Sequence, residues 1–184
     1  MTTYIGLLRG VNLAGNKMVA MADLREMVAA LGFTDVQTLL QSGNLIFRGA
    51  ATAPQTVERQ LEAALEKRLG MNVEFHIRTA AEWHEIVAAN PFPAAAKKDP
   101  AHLLVSCFKA PLDPANVKAL EAAITGPETL RAIGRHLYMV FPDGVGNSKA
   151  GRLADAKLKA RGTARNWNTV TKLAALAATP TPSR

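Results

Sequence analysis

Val36–Phe47 reads VQTLLQSGNLIF. Two apolar runs meet at Ser42-Gly43, a hairpin signal. Upstream, ADLREMVAALG places Leu24, Met27, Val28 and Leu31 at helical spacing, and Gly32 suits a C-terminal cap. Before it stands TYIGLL, a short apolar run that reads as a strand. Downstream, PQTVERQLEAALEKRLG has Pro54 at a first helical position, then Val57, Leu61, Leu65 and a terminal Gly70. VEFHIR alternates, with Val73, Phe75 and Ile77 on one face and Glu74, His76 and Arg78 on the other, the pattern of a half-buried strand with His76 at the surface. The order is strand-helix-strand-strand-helix-strand. It predicts two helices on one face of an antiparallel sheet, as in ferredoxin-like domains.

TAAEWHEIVAAN follows as a helix whose Thr79 and Glu82 form a capping box. NPFPAAAKKDPA, with three prolines, reads as a linker. The second half opens with the strand HLLVSCF. DPANVKALEAAI is then a helix capped by Asp113, and ETLRAIGRHLYMVF a hairpin turning at Gly134-Arg135. Two basic helices are expected after it, Ser148–Arg161 and Thr163–Ala178, so a helix stands where the first half has its closing strand. The fold class is α+β. A ferredoxin-like subdomain with a trailing helix spans 1–89, a linker 90–101, and a second subdomain of strands and helices 102–178. The tail 179–184 is expected to be mobile.

The 184 residues are 48% hydrophobic, enough for a real core. No apolar run approaches a membrane span, and MTTYIGLLRG lacks the charged start of a secretory signal. Cys107 is the single cysteine. It fits a core position and a reducing, cytoplasmic setting. Residues 1–144 carry as many acids as bases. The last 40 hold eight basic residues against Asp155 alone, so the whole net charge of +7 lies there. A one-ended basic field points to an anionic partner, and otherwise to a surface that keeps the protein soluble.

Catalytic patterns mostly fail. His76, His84, His102 and His136 show no metal spacing, and one cysteine cannot build a thiolate site. No G-x-S-x-G elbow is present. Neither a metal nor a cofactor is called for. An enzyme stays open, because triads are assembled in space.

Three segments carry unexplained polar residues. RGVNLAGNKMVA joins the first strand and helix with an irregular stretch from Gly10 to Ala20, longer than usual for such a connection, and it carries Arg9, Asn12, Asn16 and Lys17. It is either a binding loop or a cover for the sheet edge. FPDGVGNSKAGR runs a strand through Gly144 and Gly146 into a helix, with Ser148, Lys149 and Arg152 near the helix start, an anion site or a plain turn. In GTARNWNTVTKLAALA, Thr163 suits an N-cap and Trp167 a core anchor. Asn166 and Asn168 are poor helix formers. They either bond neighbouring loops or present amides to a ligand beside Arg165. One cleft shared by all three segments is the sharper expectation.

RGVNLAGNKMVAMADLREMVAALGFTDVQTLLQSGNLIF, DGVGNSK and TARNWNTVTKL resemble the hallmark segments of the bacterial domain of unknown function family 1697. The resemblance implies an α+β fold with ferredoxin-like subdomains and no assigned activity. The motif positions correspond to Arg9, Gly10, Asn12, Lys17, Gln41, Ser42, Gly43, Asn44, Ser148, Lys149, Arg165, Asn166, Trp167 and Asn168.

The topology invites comparison with RNA-recognition domains, but GNLIF lacks the paired aromatics that stack bases. Three functions are therefore expected in turn. The first is a binding module for an anionic ligand, either a phosphorylated small molecule or a nucleic acid backbone, with candidate contacts Arg9, Asn12, Lys17, Ser42, Asn44, Ser148, Lys149, Arg165, Asn166 and Asn168. The second is an enzyme acting on such a ligand. The third is a structural or protein-interaction domain whose polar motifs lock loops together.

Overall fold

The hairpin at Ser42-Gly43 forms, and its turn shows why glycine is required. In a computed structural model, which describes residues 1–12 and 18–179, Gly43 has φ +72. A Cβ there would stand 2.8 Å from both Leu8 Cβ and Val11 Cγ2. The turn joins β2 (Thr34–Leu39) to β3 (Asn44–Gly49). Around it lie β1 (Thr2–Leu8), α1 (Met21–Ala30), α2 (Pro54–Leu69) and β4 (Phe75–Thr79). The first sheet has the order β2-β3-β1-β4, antiparallel throughout. α1 and α2 bury Leu24, Met27, Val28, Val57, Leu61 and Leu65 against Tyr4, Leu8, Leu45, Phe47, Phe75 and Ile77. The expected ferredoxin-like subdomain is present.

α3 (Ala80–Ala88) follows β4 directly, and the Thr79–Glu82 capping box is formed. The stretch expected as a linker contains the short helix α4 (Pro93–Lys98). Next come β5 (Leu103–Phe108), α5 (Pro114–Ala123), β6 (Thr129–Ile133), β7 (His136–Val140), a 3-10 turn at Val145–Asn147 and α6 (Ala150–Leu158). Asp113 caps α5 through its Oδ1, which accepts from Ala115 N at 2.8 Å.

The two expected C-terminal helices need correction. α6 is shorter than Ser148–Arg161 and stops at Lys159, which takes φ +51. Gly162–Asn166 is a strand, β8, paired antiparallel with β5, and only then does α7 (Trp167–Ala178) begin. Thr163 is therefore a buried strand residue and not the helix cap. Asn166 takes that role, its Oδ1 accepting from Thr169 N at 3.0 Å. Gly162 fits the strand because a Cβ there would meet the Phe108 ring at 2.6 Å. α7 carries one basic residue, Lys172, so the charge belongs to α6 and its flanks.

The second sheet has the order β6-β7-β5-β8, and the two halves share one topology. They also share a register. Ile5 pairs with Ile46 and Arg78 as Val105 pairs with Tyr138 and Arg165. α5 and α6 bury Val117, Leu120, Ala150 and Leu158 with Phe108, Leu137 and Met139. The chain divides into unit 1, Met1–Glu85 with Lys172–Arg184, and unit 2, Ile86–Thr171.

His76 is a second correction. It is fully buried, as is Arg78, so β4 is covered on both faces and its alternation does not mark a solvent side.

Candidate functional site

The described candidate residues of unit 1 gather at one corner. Arg9 follows β1 directly, half-buried, with its N–H bonded to Glu74 O at 3.0 Å. Asn12 takes φ +54, and its amide is spent on backbone. Nδ2 donates to Gln41 O at 2.7 Å and Val19 O at 3.0 Å, and Oδ1 accepts from Val19 N at 2.8 Å. Asn44 is buried and donates to Leu39 O at 2.8 Å and Ser42 Oγ at 3.0 Å. Leu8 N reaches Gly43 O at 2.9 Å. The first loop is thus tied to the hairpin turn by Asn12, whose amide donors and acceptor are used inside the fold, while the Asn44 amide donates within the hairpin. Lys17 lies outside the described residues.

The candidates of unit 2 separate onto two faces of its sheet. Ser148 and Lys149 line a pocket of about 530 Å³ between the α5–β6 loop and the start of α6. Ser148 Oγ accepts from Ala150 N at 3.0 Å and donates to Glu128 Oε1. Glu128 and Asp143 share this lining, but Arg165, Asn166 and Asn168 do not. Glu128 therefore puts a built-in carboxylate beside the α6 N-terminus, where an incoming anion would be drawn. Glu128 was not singled out by the sequence, since it lies 20 residues from Ser148, in another loop.

Arg165 stands opposite Val105 on β5, on the face away from α5 and α6. Its Nη1 donates to Thr163 Oγ1 at 2.9 Å and Ala164 O at 2.8 Å. Burial lowers its pKa to about 10, with the Cys107 thiol working against that shift. The group stays charged at neutral pH. Asn168 is exposed in the first turn of α7, and Trp167 is buried as expected.

The exposed charge lies elsewhere. Lys149, Arg152, Lys157, Lys159 and Arg161 are all exposed along α6 and its flanks, with Asp155 as the one acid among them. Among the described residues, no group of three or more His, Cys, Asp or Glu side chains could hold a metal ion. No helix there is long and apolar enough to cross a membrane.

A family model described as protein of unknown function (DUF1697) matches residues 1–138. The chain belongs to this family. No curated protein matches the sequence. Among solved structures, the conserved bacterial protein SP0830 from Streptococcus pneumoniae is 22% identical with a TM-score of 0.75, over 96% of this chain and 98% of that one. This likeness shows the fold. TA0507, provisionally assigned as a chlorite dismutase, is 11% identical over 96% of this chain and 100% of that one, with a TM-score of 0.27, too low to bear on the fold.

Proposed function

We propose that this protein is a binding module for an anionic partner, taken up on the basic segment Lys149–Arg161. The observation that carries the reading is charge placement. Five exposed basic residues stand against one acid within this stretch, while residues 1–144 are balanced. Such a field attracts phosphates or carboxylates over several ångströms and raises their encounter rate. The neighbouring pocket supports a chain-like partner over a phosphorylated small molecule, because Glu128 and Asp143 in its lining repel a bound phosphate. The corner of unit 1 supports the same choice, because the amides of Asn12 and Asn44 are already engaged. A nucleic acid backbone would be held by charge with little sequence readout.

The test is fluorescence anisotropy with a single-stranded oligonucleotide and with poly-glutamate. Affinity for the oligonucleotide is expected to fall with salt, with a log–log slope of about −0.7 per phosphate neutralised. Replacing Arg152, Lys157, Lys159 and Arg161 together by glutamine flattens that slope and leaves the melting temperature nearly unchanged, as these are surface positions. Absence of binding to either probe at low salt, or an unchanged slope in the variant, overturns the reading.

A further inference from the structure

The two units differ at the outer edge of their closing strands. β4 is an edge strand, and α2 packs along it. Its outward N–H groups each meet a glutamate: Phe75 N bonds Glu62 Oε1 at 2.9 Å, Ile77 N bonds Glu58 Oε1 at 2.9 Å, and Thr79 N bonds Glu82 Oε2 at 2.8 Å. This seals an edge that would otherwise template another strand.

β8 holds the same place in unit 2, but α6 packs on α5 instead. Ala164 pairs with Ser106 as Ile77 pairs with Gly6. For an L-residue in a strand, the face of the side chain fixes the side to which the N–H points, so Ala164 and Asn166 direct their N–H groups outward. The arginines mark the same geometry, since Arg78 Nη1 returns to Ile77 O and Arg165 Nη1 to Ala164 O, each at 2.8 Å. Ala164 is exposed, and among the described residues no carboxylate accepts from the N–H of Ala164 or Asn166. Lys157, Lys159 and Arg161 lead into this edge, all exposed.

We propose that unit 2 adds an extended acidic peptide segment of a partner protein to the outer edge of β8, with main-chain bonds at Ala164 and Asn166 and carboxylates against Lys159 and Arg161. The proposal rests on the reading of the basic segment as an anion-contact surface and names its partner class. Strand addition supplies the main-chain bonds, and charge supplies selection. A second copy of this chain is disfavoured, because two β8 edges would bring Lys159, Arg161 and Arg165 of each copy together. A nucleic acid has no strand edge to offer.

The probe is a fluorescein-labelled peptide of alternating valine and glutamate, with two isomers N-methylated at the two alternate sets of positions. Each isomer keeps the charge and loses the donors of one edge. The parent is expected to bind, and one isomer to bind at least tenfold more weakly than the other. Ala164→Pro, tolerable on an edge strand, gives a similar loss with the parent, and Lys159→Gln with Arg161→Gln weakens it further. Equal binding of all three peptides overturns strand addition and leaves the anion-contact reading standing. Binding of the single-stranded oligonucleotide but of no peptide overturns the proposal in favour of nucleic acid. Binding of neither overturns both readings.

Discussion

Arg78 and Arg165 occupy one register position in two sheets and bond to the same outward carbonyl, that of the residue before them. Beside each is a helix cap, Thr79 in one unit and Asn166 in the other. The Arg-Asn-Trp-Asn stretch is thereby explained one residue at a time: an edge arginine, a cap, a core anchor and an exposed first-turn residue. Tyr138, next to Val105 in the same row, gives a test at this scale. Burial pushes its phenol up to about 12, the Cys107 thiol adding to the shift. The unfolded phenol titrates near 10. Between these values the folded state keeps a proton that the unfolded state has lost, so Tyr138 stabilises fully below pH ~10 and loses up to ~2–3 kcal/mol as pH rises to about 12. Arg165, lowered to about 10, acts in the opposite direction by a comparable amount over the same range, since a depressed base stabilises as pH rises. Both proteins in a comparison with Tyr138→Phe carry Arg165, so its contribution cancels. Urea unfolding at several pH values is expected to show Tyr138→Phe less stable than the native protein by about 1 kcal/mol at neutral pH, from the lost bond to Ile86 O at 2.7 Å, and to gain on the native protein as pH rises from about 10 to about 12. Parallel pH curves would place the phenol in a solvated setting.

At the scale of elements, the glutamate seal of β4 is the sharpest structural claim. Glu58 is buried, accepts from Ile77 N and lies 4.0 Å from the buried Arg78 guanidinium. Glu58→Ala removes this carboxylate from both and is expected to cost about 3 kcal/mol or more in chemical denaturation, with Glu58→Gln retaining an acceptor and losing less. An unchanged midpoint for Glu58→Ala would show that the edge needs no such cover. The elements of unit 1 were legible because each had periodic apolar residues and clear punctuation, such as Pro54 and Gly70 around α2. β8 was not. Gly162-Thr-Ala-Arg-Asn has no alternating apolar face, and it runs without a turn into the helical spacing of Trp167, Val170, Ala174 and Ala177. Its strand state comes from pairing with β5, a contact distant in sequence. His76 was misplaced for a related reason, since alternation marks two faces but says nothing of whether the polar one is covered.

For the whole molecule, charge separates from motif. The polar motif residues of unit 1 were visible in sequence as a group, and the structure gathers Arg9, Asn12, Ser42 and Asn44 at one corner, where both asparagine amides bond within the fold. Those of unit 2 fall on opposite faces of one sheet, because β8 turns Arg165 away from the pocket of Ser148 and Lys149. A sequence shows donors and spacing, but the face each donor takes is set by register. The basic excess needed no register to be seen, and the fold concentrates most of it on α6 and its flanks. The central claim is that an anionic partner docks there. Its most direct test is the amide chemical-shift map of the isotope-labelled protein titrated with poly-glutamate and, separately, with a single-stranded oligonucleotide. The account predicts that the largest shifts for at least one probe fall between Lys149 and Asn166. Shifts centred on Arg9–Asn12 and Gln41–Asn44, or none with either probe at low salt, would contradict it.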